Sequence, residues 1–371
     1  MKEKINSFQF SSAYFLCIVS ASIGLSLFTT IRIAGHDSYI GTLCGIFLGL
    51  LPLLFFLYIF NYKKDLPLYE KTIYIFGKVF GNIINIIITL LYFVIGITVL
   101  FNLCNFIVSQ YLADTPLLLV MAVFILVVFH ILNKGIETIT RVSSICSVIV
   151  ILLFLFSFVY LFQEFQVDNL KPILEHGLKN PIIGGFINMI IALSPMYTLL
   201  IIPKNNLVDK EKVTKFILSG YFLSGVIVFS VSLLSNGILG KYLIELYQYP
   251  GYLSLKKISL FGFIDRIENF MSLHWILSSF INMSMILYFI KSNIKKKENS
   301  KILNFIICAL TVIVSYRVFD NNTVFNNYSY KIYPYFLIAL ISIYGIISVS
   351  IIIKKKIKKE WFYVYLFNAC I

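Results

Sequence analysis

Long runs of apolar residues, separated by short polar or basic segments, recur along the whole chain of 371 residues. About 20 apolar residues in helical conformation cross the roughly 30 Å of hydrocarbon in a bilayer. The pattern predicts membrane-spanning helices over residues 8–33, 38–60, 80–109, 115–132, 141–163, 182–203, 213–239, 264–290, 302–319 and 334–353. The predicted fold class is therefore an all-α polytopic membrane protein with about ten transmembrane helices.

The first apolar run is interrupted in its middle by the stretch Ser20-Ala21-Ser22-Ile23-Gly24-Leu25-Ser26. Three hydroxyls and a glycine weaken a helix at a depth where no water satisfies a freed carbonyl. Irregular backbone at that depth is tolerated where it lines a cavity inside the protein. The alternative is that these small residues let a neighbouring helix pack closely.

A second interruption lies in the sixth run, where Gly184-Gly185 is followed by Ser194-Pro195. Proline in a helix interior costs about 3 kcal/mol unless something compensates, although a simple proline kink is the alternative. Broken helices at equivalent places in two inverted halves are typical of transporters with a midplane site. We therefore predict one membrane domain, 1–371, with five-helix repeats at 1–163 and 182–353 and a basic tail at 354–371.

Composition agrees with a membrane protein and predicts its orientation. Apolar residues make up 59% of the chain and charged residues only 13%, against about 25% charged in soluble domains. The net charge of +14 is confined to short loops, with no basic face for nucleic acid. One side of the predicted membrane holds 22 of the 31 Lys and Arg, which predicts that both termini are cytoplasmic. The cluster 354–359 either contacts anionic lipid headgroups or is a solvated rim.

Polar chemistry at mid-membrane depth is limited to hydroxyls and amides. No Asp, Glu, Lys or Arg lies near the middle of a predicted span, which argues against a proton relay. His130 and His274 lie near span ends, where we expect interfacial histidines and not ligands. The six cysteines show no metal-binding spacing, and no nucleophile–base pair stands out. We expect no cofactor, no metal and no enzymatic activity.

The chain resembles the B subunit of the spore germinant receptors, the spore germination permease family of the amino acid/polyamine/organocation superfamily. The resemblance rests on Ile5-Asn6-Ser7-Phe8-Gln9 with Ile23-Gly24, Gly135-Ile136-Glu137-Thr138-Ile139-Thr140-Arg141, Asn169-Leu170-Lys171-Pro172-Ile173-Leu174-Glu175-His176-Gly177, Tyr249-Pro250, Phe263-Ile264-Asp265-Arg266-Ile267-Glu268 and Trp275.

The resemblance implies a LeuT-like 5+5 inverted repeat in which spans one, three, six and eight surround a small nutrient. It also implies an A-type membrane subunit and a C-type lipoprotein as partners, in the inner membrane of a spore. On those spans, the polar or small residues predicted to bind substrate are Ser20, Ser22, Gly24, Asn102, Asn105, Ser194, Tyr197, Ser278 and Asn282. Span six carries Ser194 and Tyr197 where an acidic residue would mark ion coupling.

Three functions remain open at this point. The first is a receptor that binds a nutrient, an amino acid or an inorganic cation, and signals to partner subunits. The second is a permease that moves an amino acid or a cation. The third is a membrane scaffold. The absence of an acidic residue in the middle of the spans favours the receptor over an ion-coupled permease.

The distribution of basic residues leads to a topology prediction. A reporter fused after Lys297 should lie in the cytoplasm, and one inserted near Tyr252 should lie outside, because Lys and Arg are retained on the cytoplasmic side. Accessibility of an introduced cysteine to an impermeant thiol reagent measures both positions. Swapped accessibility would contradict the ten-span topology.

Overall fold

The computed structural model describes residues 4–256, 266–294 and 300–369, with side chains up to residue 355. The predicted motif residues 263–265, the reporter position Lys297, Cys370 and the side chains of most of the basic tail lie outside the described residues. The α-helices of the described residues are α1 Ser7–Ala21, α2 Leu27–Ala34, α3 Ser38–Leu48, α4 Leu50–Asn61, α5 Leu68–Phe76, α6 Lys78–Tyr111, α7 Leu117–Lys134, α8 Ile136–Gln163, α9 Lys179–Leu193, α10 Val213–Leu246, α11 Pro250–Lys256, α12 Glu268–Ile294, α13 Lys301–Val318, α14 Asn322–Lys331 and α15 Tyr333–Ala369.

Nine helical segments of the described chain are long and apolar enough to cross a membrane, and the first contains two crossings. This segment, Ser7–Asn61, changes direction at Gly35, whose φ of +57° suits glycine. Beyond the turn the chain runs back, so that the ring centroids of Phe10 and Phe60 are 5.1 Å apart. The described residues therefore make ten crossings, the number that the hydrophobic pattern predicts.

Helix boundaries follow local sequence signals that the hydrophobic pattern does not contain. Asn6 caps α1: its side chain accepts from the Gln9 N–H at 2.8 Å, and the Gln9 side chain accepts from the Asn6 N–H at 3.1 Å. The seventh span is longer than predicted because α10 continues to Leu246 through a kink at Gly240.

The helices of the first and sixth spans, α1, α2 and α9, pack against α3 and α10, and α1 also packs on α8 and α12. The helices α6, α7, α12 and α13 pack against one another. Close packing of α3 on α9 explains the glycine pair: a Cβ at Gly185 would lie 2.6 Å from the Gly41 carbonyl oxygen. Gly184-Gly185 therefore lies inside the continuous helix α9, and the interruption of the sixth span begins only after Leu193.

A short helix, α5, lies in the loop between the second and third spans. Its Lys71 is buried and donates to the carbonyls of Ile59 at 2.8 Å and Phe60 at 3.4 Å. The ammonium thus contacts the carboxyl end of α4, where the helix dipole favours a cation. Burial nevertheless lowers the pKa of Lys71 from 10.5 to about 7, since desolvation disfavours the charged form.

The lowered pKa of Lys71 predicts a pH-dependent stability. Between pH 7 and 10.5 the unfolded chain holds this proton more tightly than the folded chain, so stability rises with pH by about 1.4 kcal/mol per unit at most. Thermal unfolding in detergent at pH 7 and pH 9 should show that Lys71→Met removes this rise. The matched variant Lys78→Met, at an exposed position, should keep the rise of stability with pH. An equal pH dependence of stability in both variants would contradict the assignment of this rise to the buried Lys71 ammonium.

Candidate functional site

The interruption of the first span is a π-helical turn. α1 ends at Ala21, and Ser22–Ser26 forms five π-helical residues before α2 begins. The Leu27 N–H accordingly donates to the Ser22 carbonyl, five residues back. A π turn widens the helix and leaves carbonyls without their usual partner, and all five residues are buried. The predicted break is present, as a widening of the helix.

Asn102 of α6 satisfies one of these carbonyls. Its Nδ2 donates to the Gly24 carbonyl at 2.8 Å, which orients the amide so that Oδ1 points elsewhere. That Oδ1 has no hydrogen-bond partner among the described residues, although Asn102 is only 4% exposed. Buried amide oxygens are normally paired, so this atom is available to a donor.

The first span is tied to α12 by hydroxyl and amide groups. Ser20 Oγ lies 3.0 Å from Ser279 Oγ, and Asn282 Nδ2 donates to Ser20 Oγ at 3.2 Å. Asn282 Oδ1 is a second buried acceptor without a partner in the described chain. Ser278 instead donates to the Trp275 carbonyl of its own helix at 3.0 Å. The side chain that faces the first span is thus Ser279, one position away from the predicted Ser278.

The interruption of the sixth span is a 3₁₀ segment, Ser194–Ile201, with Pro195 at its start. The carbonyl of Ser194 accepts from the Tyr92 hydroxyl of α6 at 2.9 Å. Tyr197 points away from α12: its hydroxyl donates to the Pro52 carbonyl at 2.7 Å, and its ring stacks on Tyr344 at 3.9 Å. This tyrosine cluster closes the inner side of the break with aromatic rings.

A cavity of about 20 Å³ lies between the two interruptions. Its walls come from the first, third, sixth, eighth and tenth spans, and they include Ser20, Thr98, Asn102, Pro195, Trp275, Ser279 and Tyr333. This volume suffices for about one water molecule. Its lining side chains in the described chain carry no charge, so the polar groups available there are hydroxyls, amides and carbonyls.

Aromatic rings separate this cavity from the outer face. Phe106 lies against Trp275 with ring centroids 4.6 Å apart, and Tyr249 is 5.5 Å from the same indole. Tyr252 from the short helix α11 packs on Phe106 at 5.3 Å. Nearly all the side chains that line the cavity are buried, so the cavity is enclosed within the protein.

Of the predicted site residues, Ser20 and Asn102 line the cavity, and each is bonded to one further predicted residue, Ser20 to Asn282 and Asn102 to Gly24. The others lie elsewhere: Ser22 lines a separate cavity beside Tyr221, and Asn105 is half-buried near the outer face, where it bonds Asn322 at 3.0 Å. Ser194, Tyr197 and Ser278 bond backbone carbonyls. Their roles in binding stay predictions.

Sequence reasoning did not place Thr98, Pro195, Trp275, Ser279 and Tyr333 in the site, although all line its cavity. One sequence feature could have identified Trp275 as a site residue: it is one of only two tryptophans, and polar residues of α12 follow it.

Comparison with known proteins places this architecture in a family. The sequence model of the spore germination permeases, described as "Spore germination protein", matches residues 4–324. The chain belongs to the spore germination permease family. Among curated members, it is 22% identical over 285 residues to spore germination protein XB of Bacillus anthracis, covering 76% of this chain and 79% of that protein. It is 26% identical over 279 residues to spore germination protein KB of Bacillus subtilis (strain 168), covering 74% of each.

The fold of this spore germination permease is that of LeuT-like transporters, as the broken helices predict. Mutants of the Eremococcus coleocola manganese transporter superpose on it with a TM-score of 0.63 at 14% identity, covering 92% of this chain and 78% of theirs. At this identity the likeness concerns the fold alone. The family and the LeuT-like fold predicted from sequence are both confirmed, and the protein is an integral membrane protein.

The packing at Gly24 yields a mutational prediction. A Cβ there would lie 2.7 Å from Cε2 and Nε1 of the Trp275 indole, too close for any real contact. Gly24→Leu should therefore abolish the germination response while leaving protein in the membrane, because the side chain forces the indole out of place. Nutrient-triggered germination and subunit abundance, measured in the same spores, check this outcome.

Gly96→Ala is the matched control, since a Cβ at that buried position meets its nearest neighbour at an ordinary 3.4 Å. A normal response of Gly24→Leu spores at normal abundance would count against a site here. Parallel loss of abundance and response would indicate that Gly24 serves packing only.

Proposed function

We propose that this chain is the nutrient-sensing subunit of a spore germination receptor. It binds a small nutrient, an amino acid by preference, in the cavity between the two interrupted helices. Ligand binding is signalled to an A-type membrane subunit and a C-type lipoprotein in the inner membrane of the spore. An enzymatic role is not part of this proposal.

The observation that carries the proposal is an unpartnered amide oxygen in the wall of the cavity, Asn102 Oδ1. A second, Asn282 Oδ1, belongs to a residue that bonds the lining residue Ser20. Asn102 Oδ1 and Asn282 Oδ1 are buried acceptors without a donor in the described chain. Leaving such a group unpaired costs about 1–3 kcal/mol, which a ligand rich in N–H donors would recover. The ammonium group of an amino acid offers three donors, and an inorganic cation would use the same oxygens.

The small size of the cavity links ligand binding to a change of conformation. A volume of about 20 Å³ holds about one water molecule and is smaller than any amino acid. The nutrient must therefore bind a more open arrangement of the aromatic layers above and below. A ligand that binds one of two conformations better shifts the population toward it, and this shift is the signal that partner subunits would read.

An active permease of the same fold is the second candidate, because the structural neighbours are transporters. Manganese is not the expected cargo, since the described residues hold no group of three or more His, Cys, Asp or Glu side chains. Uptake of labelled amino acids or cations into proteoliposomes separates the two functions. Concentrative uptake by the isolated chain would favour the permease, and binding without uptake would favour the receptor.

Removal of one amide tests the site directly. Asn282→Ala should raise the half-maximal nutrient concentration for germination about five- to 150-fold, which corresponds to the about 1–3 kcal/mol of a lost buried hydrogen bond. Subunit abundance should stay close to normal, since α12 keeps its packing. Dipicolinic acid release from spores, titrated with single nutrients, gives the concentration.

Ser157→Ala is the matched control. Ser157 is equally buried and donates only to the Leu153 carbonyl of its own helix α8, at 2.9 Å. A shift of the same size in both variants would mean that the assigned site is wrong.

A further inference from the structure

A groove of about 490 Å³ lies on the side of the helix bundle, near the start of α6. Ligand pockets in proteins commonly measure about 300–1,000 Å³, so this groove has the room for a ligand that the cavity between the interruptions lacks. Its described lining residues come from α5, α6 and α12 and are Tyr69, Asn82, Asn85, Ile86, Thr89, Leu90, Asn293 and Ile294. None of them lines the cavity between the interruptions, so the groove is a separate feature.

The rim of the groove is continuous with the lipid-facing surface of α6. Ile86, Leu90 and Ile294 line the groove, and each is more than half exposed. Ile83 and Ile87, at neighbouring positions of α6, are exposed as well. Apolar side chains exposed on a membrane-spanning helix contact lipid tails, which are equally apolar. The groove therefore opens toward the bilayer, where an acyl chain would continue its apolar rim.

The groove also reaches the head-group depth of the membrane. α6 begins at Lys78, and Asn82 follows one turn later on the same face, about 6 Å along the helix axis. The head-group zone on each side of a bilayer is about 5–7 Å thick. Asn82 is exposed, and its amide has no hydrogen-bond partner among the described residues. At this depth the amide can bond phosphate oxygens and hydroxyls of lipids, which offsets the cost of removing it from water.

The other amides of the groove are held by bonds between helices. Asn85 accepts from Thr72 of α5 at 2.8 Å and donates to the Tyr69 carbonyl at 3.0 Å. Asn293 of α12 donates to Thr89 of α6 at 2.9 Å. These bonds join the three helices around the groove, so the groove is part of the folded structure and not a gap left by loose packing.

The charge at the mouth of the groove favours an anionic lipid. Lys78 is exposed on the same face of α6 as Asn82, and the described lining residues include no Asp or Glu. A Lys or Arg near the membrane surface attracts anionic head groups. The adjacent amide adds donors for a phosphate oxygen and an acceptor for a hydroxyl. A phosphodiester with a hydroxyl-bearing head group matches both residues.

We propose that this groove binds one phospholipid with an anionic, hydroxyl-bearing head group, such as phosphatidylglycerol. Lys78 contacts its phosphate, Asn82 bonds its head group, and one acyl chain lies along Ile86 and Leu90. The lipid belongs to the leaflet on the side of the membrane predicted to be cytoplasmic. The groove is separate from the proposed nutrient site, and its test does not depend on nutrient sensing.

Native mass spectrometry of the full chain in detergent, titrated with phosphatidylglycerol or phosphatidylcholine, measures this binding. One phosphatidylglycerol should bind at least about fivefold more tightly than phosphatidylcholine, since one lysine near the membrane surface contributes about this factor. Asn82→Leu should weaken phosphatidylglycerol binding about threefold, the average effect of one hydrogen bond inside a membrane. Gln110→Leu is the control, because Gln110 is a half-buried amide at the opposite end of α6. Equal binding of the two lipids, or equal effects of the two variants, would overturn the proposal.

A pair of isoleucine variants tests the position of the acyl chain. Ile86→Trp places a large ring in the groove, whereas Ile87→Trp places the same ring at the next exposed position of α6, outside the described lining. Both positions are exposed, so both variants should fold. Ile86→Trp should remove the one-to-one lipid adduct, and Ile87→Trp should keep it. The same result for both variants would contradict binding in the groove. If Ile86→Trp does not accumulate, Asn82→Leu decides the question.

Two further measurements separate a lipid from other occupants. An excess of soluble glycerol 3-phosphate should leave the lipid adduct in place, because this compound has no acyl chain. Displacement of the lipid would indicate a site for a soluble phosphate and overturn the proposal. In spore membranes, p-benzoylphenylalanine in place of Ile86 should crosslink to lipid on irradiation. A crosslink to another subunit would show that a protein covers this face, which also overturns the proposal.

Discussion

The structure depends on the need to pair every backbone carbonyl inside the hydrocarbon of the membrane, where no water is available. Two spans depart from the α-helical bonding pattern near their middle, one as a π turn and one as a 3₁₀ segment, and side chains of a neighbouring helix donate to carbonyls there. Asn102 donates to the Gly24 carbonyl and Tyr92 to the Ser194 carbonyl. Both donors lie on α6, so this single long helix bonds both interruptions. The cavity lies between these two interruptions, both of which are bonded to α6.

The direction in which the amide side chains donate also determines the chemistry of the site. An asparagine that donates through Nδ2 leaves its Oδ1 for another partner, and the same holds for Asn282, which donates to Ser20. Among the described residues, the cavity wall therefore offers an unpartnered acceptor, Asn102 Oδ1, but no carboxylate. This combination favours a ligand that brings its own donors.

In the receptor proposed above, the closed cavity would link ligand binding to a change of conformation. Two layers of aromatic rings pack near the interruptions, one with Trp275 and Phe106 and one with Tyr197 and Tyr344. Packing of rings is strong in sum but contains no obligatory ion pair, so its rearrangement costs little in desolvation. A nutrient that needs more room than the closed site offers must move one of these layers. In a complex with other subunits, that movement is available as a signal.

The hydrophobic pattern alone determined the class, the ten crossings and the two interruptions, because apolar run length and helix-breaking residues are local properties of the chain. The substrate-binding residues, chosen on the four spans that the resemblance implies, stay predictions, and of them Ser20 and Asn102 line the cavity. Ser279, and not the predicted Ser278, lies against Ser20, and the ring of the predicted Tyr197 stacks on Tyr344. One residue along a helix is a rotation of about 100°, and helical phase depends on which neighbouring helix a face packs against. Which side chains meet, and that Trp275 lines the cavity with them, followed only from the packing of helices distant in sequence.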